Sequence, residues 1–333
     1  MGMADTVTKE YMRSNKVFAD AFNYLIYDGE QVVKPALLQE LDTTEIAIPF
    51  ALDEKENPAE DVVQKYRDVL KSAVIMQDAE ASYILLGVEN QTEIHYAMPV
   101  RNIIYDALQY GKQISEVAKR HKSKGDRKGH NKGEYLSGFY KEDRIRPVIT
   151  LVVHFGADEW DGPLSLYDMM DLKNERLLEY VQDYRIFLID PYKLTNEDLE
   201  KFSSSLGDVL GYIKYSKDKK ALSKFLNDNQ VMIMDNDAAR VIRDVTNTPI
   251  YVPEGKGEID MCKAVRDMID ESKQEGIAAG KAEGRAEGMA AGELNKAKKM
   301  ALKMYQKGDS IEEIAEMAEF SVDQVKEWIN SAV

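Results

Sequence analysis

Tyr83-Ile84-Leu85-Leu86-Gly87-Val88-Glu89-Asn90-Gln91 is a mostly apolar run that ends in polar side chains. In an extended chain alternate side chains point to opposite faces. Ile84, Leu86 and Val88 therefore share one face, and Glu89 and Gln91 share the other at the strand's end. Apolar residues on both faces mark an interior strand. A carboxylate in that place is either solvated at a sheet edge or held in a site, and the flanking sequence must decide between the two.

Upstream, residues 69–76 form a β-leaning stretch entered through Asp68, and Asp78-Ala79-Glu80 turns the chain into the central strand. Two adjacent strands thus deliver Asp68 and Glu89. With Gln91 beside them, these acids could hold Mg²⁺, which keeps several waters and takes one or two carboxylates plus phosphate oxygens. Such an ion polarises a phosphodiester and lowers the pKa of bound water. Gln91 can orient that water but has no proton to trade. Acidic residues also end strands without any metal, so spacing alone leaves both readings open.

Further upstream, Phe18, Phe22, Leu25 and Ile26 recur at helical spacing and predict a first helix over residues 14–28, with Asp20 and Asn23 off its apolar stripe. Residues 46–52 suggest a first strand. Downstream, Met98-Pro99-Val100-Arg101 opens a helix with proline in its first turn. Val100, Ile103, Ile104, Ala107 and Leu108 predict the stripe that packs on the sheet. Arg101, Tyr105 and Gln109 share another face, either solvated or, beside a site, in contact with a substrate phosphate. Residues 148–155 read as a second buried strand, whose His154 suits a satisfied core position. A turn at Trp160-Asp161-Gly162-Pro163, a short helix over 164–172, a strand over 184–189 and helices over 195–228 and 236–246 complete this part.

The chain of 333 residues is 44% hydrophobic, and no run approaches the roughly 18 apolar residues that cross a bilayer. No membrane span and no secretory signal are expected, and the single Cys262 fits a reducing cytoplasm. Net charge is −15, which argues against coating nucleic acid with the whole surface. One basic block stands out: Lys112, Lys119, Arg120, Lys122, Lys124, Arg127, Lys128 and Lys132, with His121 and His130. Gly125, Gly129 and Gly133 make it read as a loose loop, either merely solvated or tracking phosphates.

Beyond residue 258 the composition changes. Gly276, Gly280, Gly284, Gly288 and Gly292 recur every four residues, with an acidic column through Glu271, Glu275, Glu283 and Glu287 and a basic one through Lys273, Lys281 and Arg285. On a helix these columns lie nearly opposite one another. Association between protomers, unlike columns facing, is one reading; a frayed linker is the other. In the tail, Ser310 with Glu313 and Ser321 with Gln324 make two capping boxes that open short helices after Gly308. Ile311, Ile314, Ala315, Met317, Phe320, Val325, Trp328 and Ile329 are the expected core of this helix-turn-helix-like unit. Asp323 and Glu327 suit it to protein contact better than to a groove lined by phosphates. The expected division is residues 1–255, a Gly-repeat segment 256–295, and the tail 296–333.

The runs Phe18-Ala19-Asp20-Ala21-Phe22-Asn23, Gly87-Val88-Glu89-Asn90-Gln91, Tyr96-Ala97-Met98-Pro99-Val100-Arg101 and Trp160-Asp161-Gly162-Pro163 resemble the Rpn (recombination-promoting nuclease) family of the PD-(D/E)XK nuclease superfamily. The likeness spans roughly residues 14 to 295. It implies an α/β fold with a restriction-endonuclease-like core, a central mixed sheet flanked by helices, and an α-helical C-terminal extension. It also implies a metal site of Asp68, Glu89 and the Asn90 carbonyl, with Gln91 where the superfamily carries a lysine. Asp20 or Asn23 would be the auxiliary residue of the first helix. Arg101, Lys119, Arg120, Lys122, Lys124, Arg127 and Lys128 would contact DNA.

The function expected from this likeness is a Mg²⁺- or Mn²⁺-dependent DNA endonuclease linked to recombination or mobile elements, cytoplasmic, and homo-oligomeric through its C-terminal helices. The competing expectation is a catalytically weak or inactive DNA-binding or assembly protein on the same core, since a neutral amide stabilises phosphate charge less well than lysine does.

Overall fold

A computed structural model describes residues 2–42, 44–46, 64–66, 68–77, 80–124, 131–171, 175–229 and 231–331. The chain divides into two compact units, Met1–Ala264 and Val265–Val333. Among the described residues no helix is long and apolar enough to cross a membrane.

The first unit begins with helices α1 (Met3–Arg13) and α2 (Asn15–Tyr27). Residues 14–28 were expected to form the first helix. α2 fills that span, and α1 precedes it because Thr8, Tyr11 and Met12 give residues 3–13 a buried face of their own. Next come β1 (Gln39–Glu40), β2 (Thr44–Ile46), β3 (Gln64–Tyr66), β4 (Val69–Gln77) and β5 (Glu80–Gln91). The strand expected over 46–52 keeps only Ile46 in β2; the rest of it, like Asp78 and Ala79 of the expected turn, lies outside the described residues.

α3 (Met98–Lys124) and α4 (Lys132–Ser137) lead to β6 (Val148–His154) and β7 (Phe187–Ile189). The sheet order is β1-β4-β5-β6-β7. β1, β4 and β5 pair antiparallel, whereas β5, β6 and β7 pair parallel, which makes the sheet mixed. β5 lies at its centre, with Leu86 and Val88 fully buried. Each such side chain contributes about 1.5–3 kcal/mol of apolar burial.

α1 and α2 cover one face of the sheet. There Lys71 of β4, itself 0% exposed, donates to the Arg13 carbonyl and to Asn15 Oδ1, both at 2.5 Å, and burial pushes its amine below the usual lysine range.

α3 covers the other face, but with an unexpected side. Asn102, Tyr105, Asp106 and Gln109 are buried, while Val100, Ile103, Ile104 and Leu108 are only half-buried and Ala107 is exposed. The reason is the polarity of the sheet beneath. Thr150 Oγ1 of β6 donates to Asp106 at 2.6 Å, Tyr184 Oη donates to the same carboxylate at 2.6 Å, and Glu89 pairs with Arg101. Buried polar groups must be matched, so the helix turns its matching side chains inward. α3 also runs on through Lys112–Lys124, so most of the basic block is helix rather than loop. Lys, Arg, Gln and Glu are good helix formers, and a single Gly111 is tolerated.

The segment expected as one helix over 195–228 is three: α5 (Asn196–Glu200), α6 (Leu206–Tyr215) and α7 (Lys219–Asn229). The first break has a clear cause. Asp20, 1% exposed, accepts bonds from the N–H and hydroxyl groups of both Ser203 and Ser204, between 2.6 and 2.9 Å, which takes these serines out of the helical ladder. The expected helix over 164–172 is a single 3₁₀ turn, Tyr167–Met169. β8 (Ile233–Asp235), α8 (Asn236–Thr246) and β9 (Glu258–Asp260) close the unit.

α9 (Met261–Lys307) carries the glycine repeat, and every residue from 271 to 293 is exposed. α10 (Ile311–Ala318) and α11 (Val322–Asn330) open on the two capping boxes and bury Ile314, Ala315, Val325, Trp328 and Ile329 against Ala301. Met317, expected in that core, is 63% exposed.

Asp20→Ala removes the acceptor of two backbone and two hydroxyl donors. It should lower the unfolding free energy by about 2–4 kcal/mol in urea denaturation. A change below about 0.5 kcal/mol, the usual size for an indifferent surface position, contradicts this role.

Candidate active site

The pairing of β4 with β5 sets the site. Val69 lies opposite Val88, so Asp68 stands one residue outside the ladder, level with Glu89. Asp68 is fixed there by its own side chain: Oδ2 accepts the Asn90 N–H at 2.9 Å. In the parallel pairing Glu89 lies beside Val152 of β6, and Val152 packs with Met98 of α3, Trp160 and Ile186. Glu89 therefore faces α3. The turn between β5 and α3 returns the chain at once, which places Arg101, in the first helical turn, over the end of the strand it has just left.

Arg101 Nη2 lies 2.9 Å from Glu89 Oε2; the carboxylate side chain is 0% exposed and that of the arginine 27%. Arg101 Nε donates to Tyr105 Oη at 3.2 Å, and the guanidinium lies 5.7 Å from that ring's centre. A second cation reaches the other acid: Lys9 Nζ of α1 is 3.7 Å from Asp68 Oδ1. Asp5, one helical turn earlier, accepts a 2.6 Å bond from Thr92 Oγ1 just past β5. Gln91 turns back on the strand, its Nε2 donating to the Asn90 carbonyl at 2.9 Å. His154, beside Gln91 in the ladder, is 1% exposed, with ring nitrogens 3.2 Å from the carbonyl oxygens of Gln91 and Asp158.

Burial pushes the Asp68 carboxyl above the usual aspartate range. The Asn90 N–H, Lys9 and Arg101 oppose this, and Asp5 adds to it. Burial also acts to lower Arg101, but Glu89, Tyr105 and Asp68 outweigh it and hold the guanidinium firmly charged. The charge of both acids thus bears on one arginine.

This donor set fits a hard divalent cation. Two carboxylates and the Asn90 carbonyl offer oxygen alone. The complete burial of Glu89 demands a compensating positive charge, which Arg101 now supplies. Among the described residues no cluster of three or more His, Cys, Asp or Glu is placed to hold a metal. With three oxygen donors, a cation here would keep coordination positions for water or substrate.

Asp68, Glu89, Asn90, Gln91 and Arg101 are brought together. Asp20 and Asn23 are not. Asp20 serves the serine pair described above. Asn23 clasps Val33, its Oδ1 accepting the N–H at 2.7 Å and its Nδ2 donating to the carbonyl at 3.1 Å. The helix that does reach the acid pair is α1, through Asp5 and Lys9. Sequence reading missed both, although the buried spacing of Thr8, Tyr11 and Met12 was a signal for that helix. Lys119, Arg120, Lys122 and Lys124 are exposed on the last turns of α3. At about 1.5 Å per residue they lie roughly 27–35 Å along the helix from Arg101. Arg127 and Lys128 lie outside the described residues.

A family profile described as "Putative transposase, YhgA-like" matches residues 51–239, more than half of the chain and including every residue of the acid site except those of α1. No curated protein and no solved structure matches the chain. With the mixed sheet and its flanking helices, the match establishes that the chain belongs to the YhgA-like transposase family, the Rpn family of the PD-(D/E)XK type.

Proposed function

We propose that this chain is a divalent-metal-dependent DNA endonuclease acting in recombination or in the movement of mobile elements. The observation that carries the reading is the β4–β5 register, which sets Asp68 level with Glu89 at the end of two paired strands, with Lys9 3.7 Å from the one acid and Arg101 2.9 Å from the other. Asp68, Glu89 and the Asn90 carbonyl would hold Mg²⁺ or Mn²⁺, which when bound supplies charge to a phosphodiester and an activated water. Asp68 is already oriented by the Asn90 N–H, and Glu89 is enclosed under α3. Gln91 would turn from the Asn90 carbonyl to position the water, without taking its proton. The exposed Lys119, Arg120, Lys122 and Lys124 would follow the DNA backbone; their distance from Arg101 suits phosphates about eight to ten base pairs from the cut, at roughly 3.4 Å per pair.

A second reading, a DNA-binding or assembly protein with little turnover, is favoured by the Gln91 amide resting on the Asn90 carbonyl rather than facing the acids. Incubating purified protein with supercoiled plasmid and Mg²⁺ or Mn²⁺ separates the two. The endonuclease reading expects metal-dependent nicking that falls by about 10²-fold or more in Asp68→Ala and Glu89→Ala. Nicking shared equally by parent and variants, or DNA retention without nicking, contradicts it.

The proton competes with the metal at Asp68. Because burial raises that carboxyl, it protonates at a higher pH than an ordinary aspartate. Mn²⁺ affinity, followed by titration calorimetry, should accordingly weaken as pH falls while still above the usual aspartate range. An affinity that declines only within that range contradicts the assignment.

Self-association belongs to the same reading. Each of the five glycines of α9 costs about 1 kcal/mol against alanine in an isolated helix, and a Cβ at any of them would meet nothing within 4 Å. Close approach of a second copy of α9, acidic column against basic column, would offset that cost. Replacing Gly280, Gly284 and Gly288 together by alanine should raise helicity yet weaken the oligomer seen by light scattering. An unchanged oligomer contradicts this role for α9.

A further inference from the structure

Cleaving a phosphodiester builds negative charge on the phosphate, and a positively charged donor aimed at that charge is worth far more than a neutral amide. Gln91 is neutral, and its Nε2 is engaged with the Asn90 carbonyl. The positive charge at this end of the sheet comes from two helices instead: Arg101 of α3 against Glu89, and Lys9 of α1 against Asp68. Their placements differ. Lys9 is 3.7 Å from its acid, beyond hydrogen-bond range, and presents a compact point charge. Arg101 makes a 2.9 Å contact with a fully buried carboxylate and remains 27% exposed, so its side chain runs from the buried acid to solvent.

Resting on the endonuclease reading, we infer that Arg101 is the substrate-phosphate ligand of this site, held on Glu89 in the metal-free protein and released when a divalent cation takes over that carboxylate. The exchange follows from charge balance. Glu89 is out of water and needs a counter-ion at all times, which makes Arg101 its partner at rest. With a dication held by Asp68 and Glu89, their charge would be met without Arg101, whose guanidinium would then stand beside a like charge. Arg101 would then leave the acid. Tyr105 keeps the arginine near: Nε donates to the phenol oxygen at 3.2 Å and the guanidinium lies 5.7 Å from the ring's centre, so the head keeps a partner when its Nη2 contact with Glu89 is released. A guanidinium offers parallel N–H donors that match two phosphate oxygens, which an ammonium does not. One residue thus acts as counter-ion before loading and as phosphate ligand after it.

The test combines Mn²⁺ titration calorimetry with single-turnover cleavage at saturating Mn²⁺, on full-length parent, Arg101→Met, Arg101→Lys and Lys9→Met proteins. Arg101→Met has no guanidinium to displace from Glu89 and should bind Mn²⁺ roughly tenfold more tightly. Its cleavage should nonetheless be about 10²–10³-fold slower. Arg101→Lys keeps a cation beside Glu89; it should bind Mn²⁺ as the parent does and still cleave more slowly. Lys9→Met should cleave much faster than Arg101→Met. Unchanged or weaker Mn²⁺ binding by Arg101→Met overturns the inference, and so does Arg101→Lys cleaving at the parent rate or Lys9→Met matching the loss in Arg101→Met. Failure of the underlying reading looks different: the parent itself neither binds Mn²⁺ nor cleaves.

Discussion

The hydrogen bond from the Asn90 N–H to Asp68 ties the start of β4 to the end of β5, and the arrangement of the site depends on it. Side chains alternate along a strand, so a slip of one residue between β4 and β5 would send Glu89 to the opposite face. Lys71 guards against that slip from the other side, since its amine has matched partners only at the junction of α1 and α2. Register, the orientation of Glu89 toward α3 and the closeness of Asp68 to it are one constraint seen at three places.

From that constraint follows the polarity of α3. A helix lying over a sheet normally turns its apolar stripe inward. Here the sheet presents Glu89 and Thr150, and an uncompensated buried carboxylate would cost about 3–5 kcal/mol, more than a few half-buried aliphatic side chains can offset. Arg101 and Asp106 therefore face inward, with Tyr105 beneath the guanidinium and Tyr184 completing the partners of Asp106. Lys9 and Arg101 stand against Asp68 and Glu89, while the Asp5 carboxylate, which accepts from Thr92, adds negative charge beside Asp68.

Much of this was legible in the sequence because it is local. The alternation in residues 83–91 gives the central strand, and the nearness of residues 68 and 89 follows from two consecutive strands. The serine capping boxes mark α10 and α11. What the sequence concealed depends on partners distant along the chain. Val100, Ile103, Ile104, Ala107 and Leu108 form the more apolar stripe of α3, and only the polar sheet beneath explains why another face is buried. Ser203 and Ser204 break the helical pattern because Asp20, some 180 residues away, holds their N–H groups. Lys9 and Asp5 carry no local signal of a site; their role depends on α1 docking beside β5. Asp20 and Asn23 were attractive as site residues for their position on an early helix, and both prove to clamp backbone.

The central claim is that Asp68, Glu89 and the Asn90 carbonyl grip one divalent cation. Anomalous diffraction from crystals soaked in Mn²⁺ tests it most directly. The account predicts a single strong peak bridging the two carboxylates, with the Arg101 head swung off Glu89. A map without a peak there, and with Arg101 still seated on Glu89 at high Mn²⁺, would contradict it.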